Sequence, residues 1–171
     1  MNAKDTALVV LNLQSGLINM GLRLYKTLSK STIDNMVANN KTLVHHFLAN
    51  KRPVFIVTME PRLFTRGMNA KFADPILKPA ADANLHVLVK HSADALKDTD
   101  LHAQLQKLGV QRLILTGYAT NNSVYKTAMT AEHDGYQVTV VSDASAAKSI
   151  DLHMDTIDKL TTVINTASLI K

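Results

Sequence analysis

Thr116-Gly117-Tyr118-Ala119-Thr120-Asn121-Asn122-Ser123-Val124 is the stretch from which the rest of the chain is best read. Leading into it, Arg112 to Thr116 reads as a fourth, buried strand, with Leu113-Ile114-Leu115 as its apolar centre. Gly117 punctuates the run, and from Asn122 to Asp134 the spacing predicts a helix closed by Gly135. Ser123 then falls near the first turn of that helix, where backbone N–H groups without intrahelical partners favour a developing anion. A nucleophile in that place gains an oxyanion site from the backbone. A serine there also serves as an ordinary helix N-cap.

Working outward, Ala7 to Leu13 reads as a first buried strand that ends at Asn12 and Gln14. Thr32 to Ala49 places Ile33, Met36, Val37, Val44, Phe47 and Leu48 at helical spacing, with Asn40 the polar interruption and Thr32 the predicted N-cap. Pro53 opens a second strand, Val54 to Thr58, and Met59 to about Lys71, with Pro61 and Gly67, reads as a loop. Leu17-Ile18-Asn19-Met20-Gly21-Leu22 reads as an unusually apolar loop that lines a pocket or a subunit contact. Leu85 to Val89 is a third strand ending at Lys90, and Asp100 to Leu108 is a short helix stopped by Gly109. Val138 to Val141 is a fifth strand, Ile150 to Leu160 a helix, and Thr162 to Ile164 a short sixth strand.

Strands alternating with helices predict an α/β fold: a parallel sheet covered on both faces, in one domain spanning 1–171. In such sheets ligands sit at the carboxyl ends of the strands, where strand order reverses. Asn12, Thr58, Lys90, Gly117 and Asp143 all fall at or just past predicted strand ends. Read as residues alone, Asn12 is equally a hydrogen-bonded turn residue, and Lys90 a salt-bridged or solvated strand end.

Composition narrows the chemistry. The 171 residues are 46% hydrophobic and 19% charged, which suits a globular core and excludes a disordered tail. With no cysteine, a disulfide scaffold, a zinc–thiolate site and a cysteine nucleophile are all impossible. The net charge is +5, but the lysines are scattered, and four Phe, four Tyr and no Trp leave few stacking platforms. Nucleic acid is therefore not an expected partner. The apolar run near the N-terminus is short for a signal peptide, and no stretch reaches the length of a membrane span, so the expectation is a cytoplasmic protein with no membrane partner. The seven histidines are dispersed, and no metal or other cofactor is expected. Arg62 and Arg66 are candidates for a substrate carboxylate, or else solvated loop residues. Nothing in the sequence aims Glu60 at the rim.

Three segments resemble the isochorismatase-like (cysteine hydrolase) superfamily, which includes nicotinamidases. They are Ala-Leu-Val-Val-Leu-Asn-Leu-Gln at 7–14, Val89-Lys90, and Thr116 to Val124 followed by Thr127-Ala128. Gly135-Tyr136-Gln137-Val138 and Val141-Ser142-Asp143-Ala144 extend the likeness over nearly the whole chain. The resemblance implies a three-layer sandwich with a six-stranded parallel sheet, a small-molecule substrate, hydrolysis of a C–N or ether-type bond, and a homo-oligomer. It also implies a catalytic triad at Asn12, Lys90 and Ser123, where the family has aspartate, lysine and cysteine. Substrate contacts are implied at Gln14, Tyr118, Ala119, Thr120 and Asn122, an oxyanion site at the N–H groups near Ala119 and Ser123, and a cis peptide at Tyr118–Ala119. The histidines of the nicotinamidase metal site have no counterpart in Met59-Glu60-Pro61-Arg62-Leu63.

Asn12 cannot take a proton as aspartate does, and a serine hydroxyl is far less acidic than a thiol. The family's thiol chemistry is therefore not expected. Two readings remain: a hydrolase in which neutral Lys90 deprotonates Ser123, or a silent homologue that binds a small ligand or serves as an oligomeric scaffold.

Overall fold

Strand β1 (Thr6–Leu11) is buried at every residue, as its uninterrupted apolar run requires, and lies inside a six-stranded sheet. The computed structural model describes residues 5–24 and 28–171. After β1 come α1 (Ser15–Leu24), α2 (Lys30–Ala49), β2 (Val54–Met59), α3 (Arg66–Phe72), β3 (Leu85–Lys90), α4 (Leu101–Lys107) and β4 (Arg112–Tyr118). A π-helical turn (Thr120–Val124) continues into α5 (Tyr125–His133), followed by β5 (Gln137–Ala146), α6 (Ile150–Ile157), β6 (Val163–Ile164) and α7 (Thr166–Leu169). The strand order is β3-β2-β1-β4-β5-β6, and every pairing is parallel.

Alternation along β1 produces the layers. Leu8 and Val10 pack with Ile33, Met36, Leu43 and Phe47 of α2, whereas Ala7, Val9 and Leu11 pack with Leu101 and Leu105 of α4 and Ala128 and Ala131 of α5. The expected three-layer sandwich follows. Asn40, the polar interruption in α2, is fully buried and fully used. Its Nδ2 donates to the carbonyls of Met36 (2.8 Å) and Ala144 (2.7 Å), and its Oδ1 accepts from Thr116 Oγ1 (2.6 Å). One amide thus ties α2 to β4 and β5 at no cost in unpaired groups.

Several expectations need correction. The apolar stretch at 17–22 is not a loop but part of α1, with Ile18 and Gly21 buried. The long loop after β2 contains α3, capped by Thr65. Ser29, not Thr32, caps α2; its side chain accepts from the Thr32 N–H, because the helix begins two residues earlier than the apolar spacing reveals. β5 runs well beyond Val141, to Ala146. Among the described residues, no helix is long and apolar enough to cross a membrane.

Strand order reverses between β1 and β4, since β2 and β3 lie on one side and β5 and β6 on the other. That reversal opens a crevice at the carboxyl ends of β1 and β4. Gly117 makes the pairing at that point possible: its φ is +117°, and a Cβ there would lie 2.0 Å from the Leu11 carbonyl oxygen. Gly67, on the exposed start of α3, has nothing within 4 Å of such a Cβ. Gly117→Ala should therefore cost about 3 kcal/mol or more, or prevent folding. Gly67→Ala should leave stability unchanged or raise it by up to ~1 kcal/mol. Urea unfolding of the two variants checks both, and equal stabilities would refute this account of the β1–β4 approach.

Candidate active site

Ser123 is not an N-cap. The turn that carries it starts after Ala119, and its hydroxyl is buried between two other side chains. Asn12 Nδ2 donates to Ser123 Oγ at 2.6 Å, and Lys90 Nζ donates to the same oxygen at 3.1 Å. The three residues come from β3 and from the two ends that border the crevice: Asn12 just past β1, Lys90 at the end of β3, Ser123 in the turn after β4. Asn12 holds a left-handed conformation, φ +54°, which asparagine tolerates better than most residues and which turns its side chain off the strand line. Its Oδ1 is buried with no hydrogen-bond partner among the described residues.

Lys90 is completely buried, so it is not the solvated strand end that its position alone allows. Its ammonium donates to the carbonyls of Ser92 and Ala93, both at 2.8 Å, and to Ser123. Burial pushes its pKa down from the usual 10.5 to about 8; the Asp94 carboxylate opposes that shift and the Lys126 charge adds to it. The geometry fixes where the change of protonation is felt. An ammonium has three hydrogens and three acceptors here; neutral lysine has two hydrogens for the two carbonyls, and its lone pair is left facing Ser123 Oγ.

Asn12 and Ser123 line a cleft of about 430 Å³ together with Tyr118, Ala119 and Asn122, and Lys90 lies buried behind Ser123. The peptide between Tyr118 and Ala119 is cis. Gly21 of α1 leaves room for the Tyr118 ring: a Cβ at position 21 would lie 2.6 Å from the phenolic oxygen. Two residues expected to touch substrate have other partners. Gln14 is fully buried; its Nε2 donates to the carbonyls of Met59 (2.9 Å) and Phe72 (3.0 Å), and its Oε1 accepts from the Met59 N–H (2.7 Å). It pins the ends of β1, β2 and α3 together behind the cleft. Thr120 is buried and pairs with His153 Nδ1 at 2.8 Å. Of the N–H groups near the turn, those of Asn122 and Val124 are committed to the Ala119 carbonyl.

Leu17, Met20 and Gly21 of the apolar stretch line the cleft, whereas Met59, Asn121, Lys126 and Lys148 were not expected there. Lys126 had a usable signal, because it lies three residues after Ser123 at the start of a predicted helix and so shares its face. For the α1 residues the signal was their apolar character just after the first strand, although the stretch is helix and not loop. Arg62 stands apart from the lining, at the surface near Asp98 (3.7 Å), and Arg66 is exposed at the start of α3.

Compared with known proteins, residues 6–168 match the isochorismatase domain. An uncharacterized isochorismatase family protein of Escherichia coli O157:H7, YecD, is 28% identical over 94% of this chain and 89% of its own length. A protein of Arabidopsis thaliana, named a probable inactive nicotinamidase, is 26% identical over 88% of this chain and 85% of its own. A solved isochorismatase family protein from Burkholderia thailandensis superposes with a TM-score of 0.79 at 27% identity, covering 98% of this chain and 94% of that one.

The position of the Lys90 pKa has a consequence for stability. Between the folded value of about 8 and the ordinary 10.5 the unfolded chain binds more protons, so the lysine's contribution to stability rises with pH in that window. Below it, the penalty of a buried ammonium is fully present. The stability of the wild type minus that of Lys90→Met should therefore climb from pH 8 toward 10.5. The slope should be at most ~1.4 kcal/mol per pH unit, read from urea unfolding at a series of pH values. A flat difference would mean that the lysine is not perturbed by its burial.

Proposed function

We propose that this chain, which belongs to the isochorismatase family, is a small-molecule hydrolase in which Ser123 is the nucleophile and Lys90 the general base. It would be a degenerate form of the family triad, with Asn12 and Ser123 in place of the aspartate and the cysteine. The observation that carries this reading is the hydrogen bonding of Lys90: two fixed carbonyls hold two of its hydrogens and leave its third direction to Ser123 Oγ. A pKa of about 8 keeps a minor neutral fraction at neutral pH and a majority in mildly alkaline solution.

The reaction that fits is acyl transfer at a carbonyl carbon bonded to nitrogen or oxygen. Neutral Lys90 takes the Ser123 proton as Oγ forms a bond to the carbonyl carbon. The oxyanion is assigned to main-chain N–H groups at Ala119 and Ser123, since those of Asn122 and Val124 are already used. Collapse expels the amine or alcohol, which leaves with the proton held by Lys90, and water then attacks the acyl-serine with Lys90 again as base. Asn12 Nδ2 steadies the Oγ as it loses its proton. A single domain over 1–171, a cytoplasmic setting and a homo-oligomeric assembly belong to the same proposal. They rest on the unbroken alternation of elements, the cysteine-free composition and the family resemblance.

A second reading is favoured by one contact. Asn12 Nδ2 and the Lys90 ammonium both donate to Ser123 Oγ, which stabilises that oxygen as an acceptor and suits a member that binds a small ligand without turning it over. The similarity to a plant protein named inactive points the same way.

The test is hydrolysis of a panel of small amides and esters by the wild type, Ser123→Ala, Lys90→Met and Asn12→Asp/Ser123→Cys. The hydrolase reading expects kcat/KM to rise about tenfold per pH unit on the acid side and to level off above the lysine's pKa. It expects Ser123→Ala to lose at least about a thousandfold. Turnover by the double replacement alone would establish the ligand-binding reading instead.

A further inference from the structure

Asp94 is a buried acid that the mechanism above does not use. Only 5% of it is exposed, yet it lies four residues beyond Lys90 in the turn that wraps the ammonium. One carboxylate oxygen accepts the Leu96 N–H at 2.9 Å, and the other accepts the Thr130 hydroxyl of α5 at 2.7 Å. The turn is held at two further points. Ser92 Oγ donates to the Asp94 carbonyl (2.8 Å), and the Ala95 N–H donates to Thr127 Oγ1 of α5 (3.0 Å). The carbonyls of Ser92 and Ala93, which receive two of the Lys90 hydrogens, belong to this clamped segment.

No ion pair joins Asp94 to Lys90 among the described residues, so the carboxylate acts at a distance through a low-dielectric interior. Position 12 contributes an amide and no charge. The charged groups that act on the ammonium are Asp94 from the turn and Lys126 from α5, with opposite signs.

We infer that Asp94 is a positioning residue for the Lys90–Ser123 pair: its carboxylate fixes the carbonyl cradle that aims Lys90 at Ser123, and supplies the negative charge that balances the buried ammonium. The inference takes from the proposed function only that Lys90 is the base, and it is tested without substrate. Removing the charge while keeping the shape destabilises the ammonium. The lysine then becomes neutral at lower pH and is a weaker base when neutral.

The measurement is heteronuclear NMR titration of the Lys90 side chain, its signal assigned by its absence in Lys90→Met. Asp94→Asn retains an acceptor for Leu96 and a partner for Thr130, and should lower the Lys90 pKa by about one pH unit. Asp94→Ser, a second neutral variant that still accepts from Leu96, should do the same if the first fails to fold. Lys126→Gln, on an exposed position, should move it the other way. In an active enzyme the acid limb of kcat/KM should follow the titration, whereas a purely structural role for Asp94 would lower stability and leave the pKa in place. An unchanged or raised pKa in a folded Asp94 variant overturns the proposal. A lowered pKa in a protein that hydrolyses nothing would uphold it and discard the hydrolase reading.

Discussion

Leu11 and Gly117 face each other across the β1–β4 pairing with no room for a side chain on the glycine, and the rest of the site depends on that approach. It is where the sheet changes direction, and both loops that border the crevice leave from it. One residue beyond Leu11 the chain turns through the positive φ of Asn12. Three residues beyond Gly117 it enters the π-helical turn that carries Ser123. Two strands separate β4 from β3, each step about 4.8 Å, so a group on β3 meets Ser123 only if its side chain is long. Lysine has that length, and the end of β3 is where it stands.

Helix α5 completes the arrangement from the other side. Ser123, Thr127 and Thr130 follow at intervals of four and three, which puts them on one face of a helical segment. Each meets the lysine or its cradle: Ser123 the ammonium, Thr127 the Ala95 N–H, Thr130 the Asp94 carboxylate. The helical segment that presents Ser123 also holds the turn that orients Lys90. A shift of α5 relative to β3 would disturb both, so their separation is set by several short hydrogen bonds as well as by the Ala128 and Ala131 packing beneath them.

The fold was legible in the sequence because its signals are local. Buried strand segments such as 7–11 and 113–115 are unbroken apolar runs, and the turns after α4 and α5 carry Gly109 and Gly135, both at positive φ. What escaped the sequence was decided by partners far along the chain. α1 looked like a loop because Gly16 and Gly21 interrupt a short apolar run directly after the first strand, although its residues do divide into a buried and an exposed face. Gln14 looked like a ligand contact because it lies beside Asn12, and only the positions of Met59 and Phe72 reveal that its amide is consumed by backbone. Asn12, Lys90 and Ser123 were found through a resemblance, not through spacing. Intervals of 78 and 33 residues carry no geometric information until the sheet order is known.

Polarity at the centre of the site is the feature that packing does not explain. A fully buried ammonium held by two carbonyls and a hydroxyl is expensive to desolvate, and an apolar side chain could close the same end of β3. The surrounding chain nonetheless commits a clamped turn, two threonines and a buried carboxylate to keeping that lysine in one orientation. Such investment in a destabilising group is the physical mark of a site arranged for a ligand or a proton transfer. It distinguishes this crevice from the cavity between α2 and the end of β5, where the polar lining among the described residues includes His153 and a Ser145 hydroxyl without a partner there, but no buried ammonium. The exchange of charge within the site follows the same logic. With an amide at position 12, the negative charge that a buried lysine requires lies behind it, at Asp94, leaving the cleft side of the lysine to Ser123. A charge so placed can stabilise the ammonium without competing for the serine proton, and this allows a neutral residue at position 12 to coexist with a buried lysine.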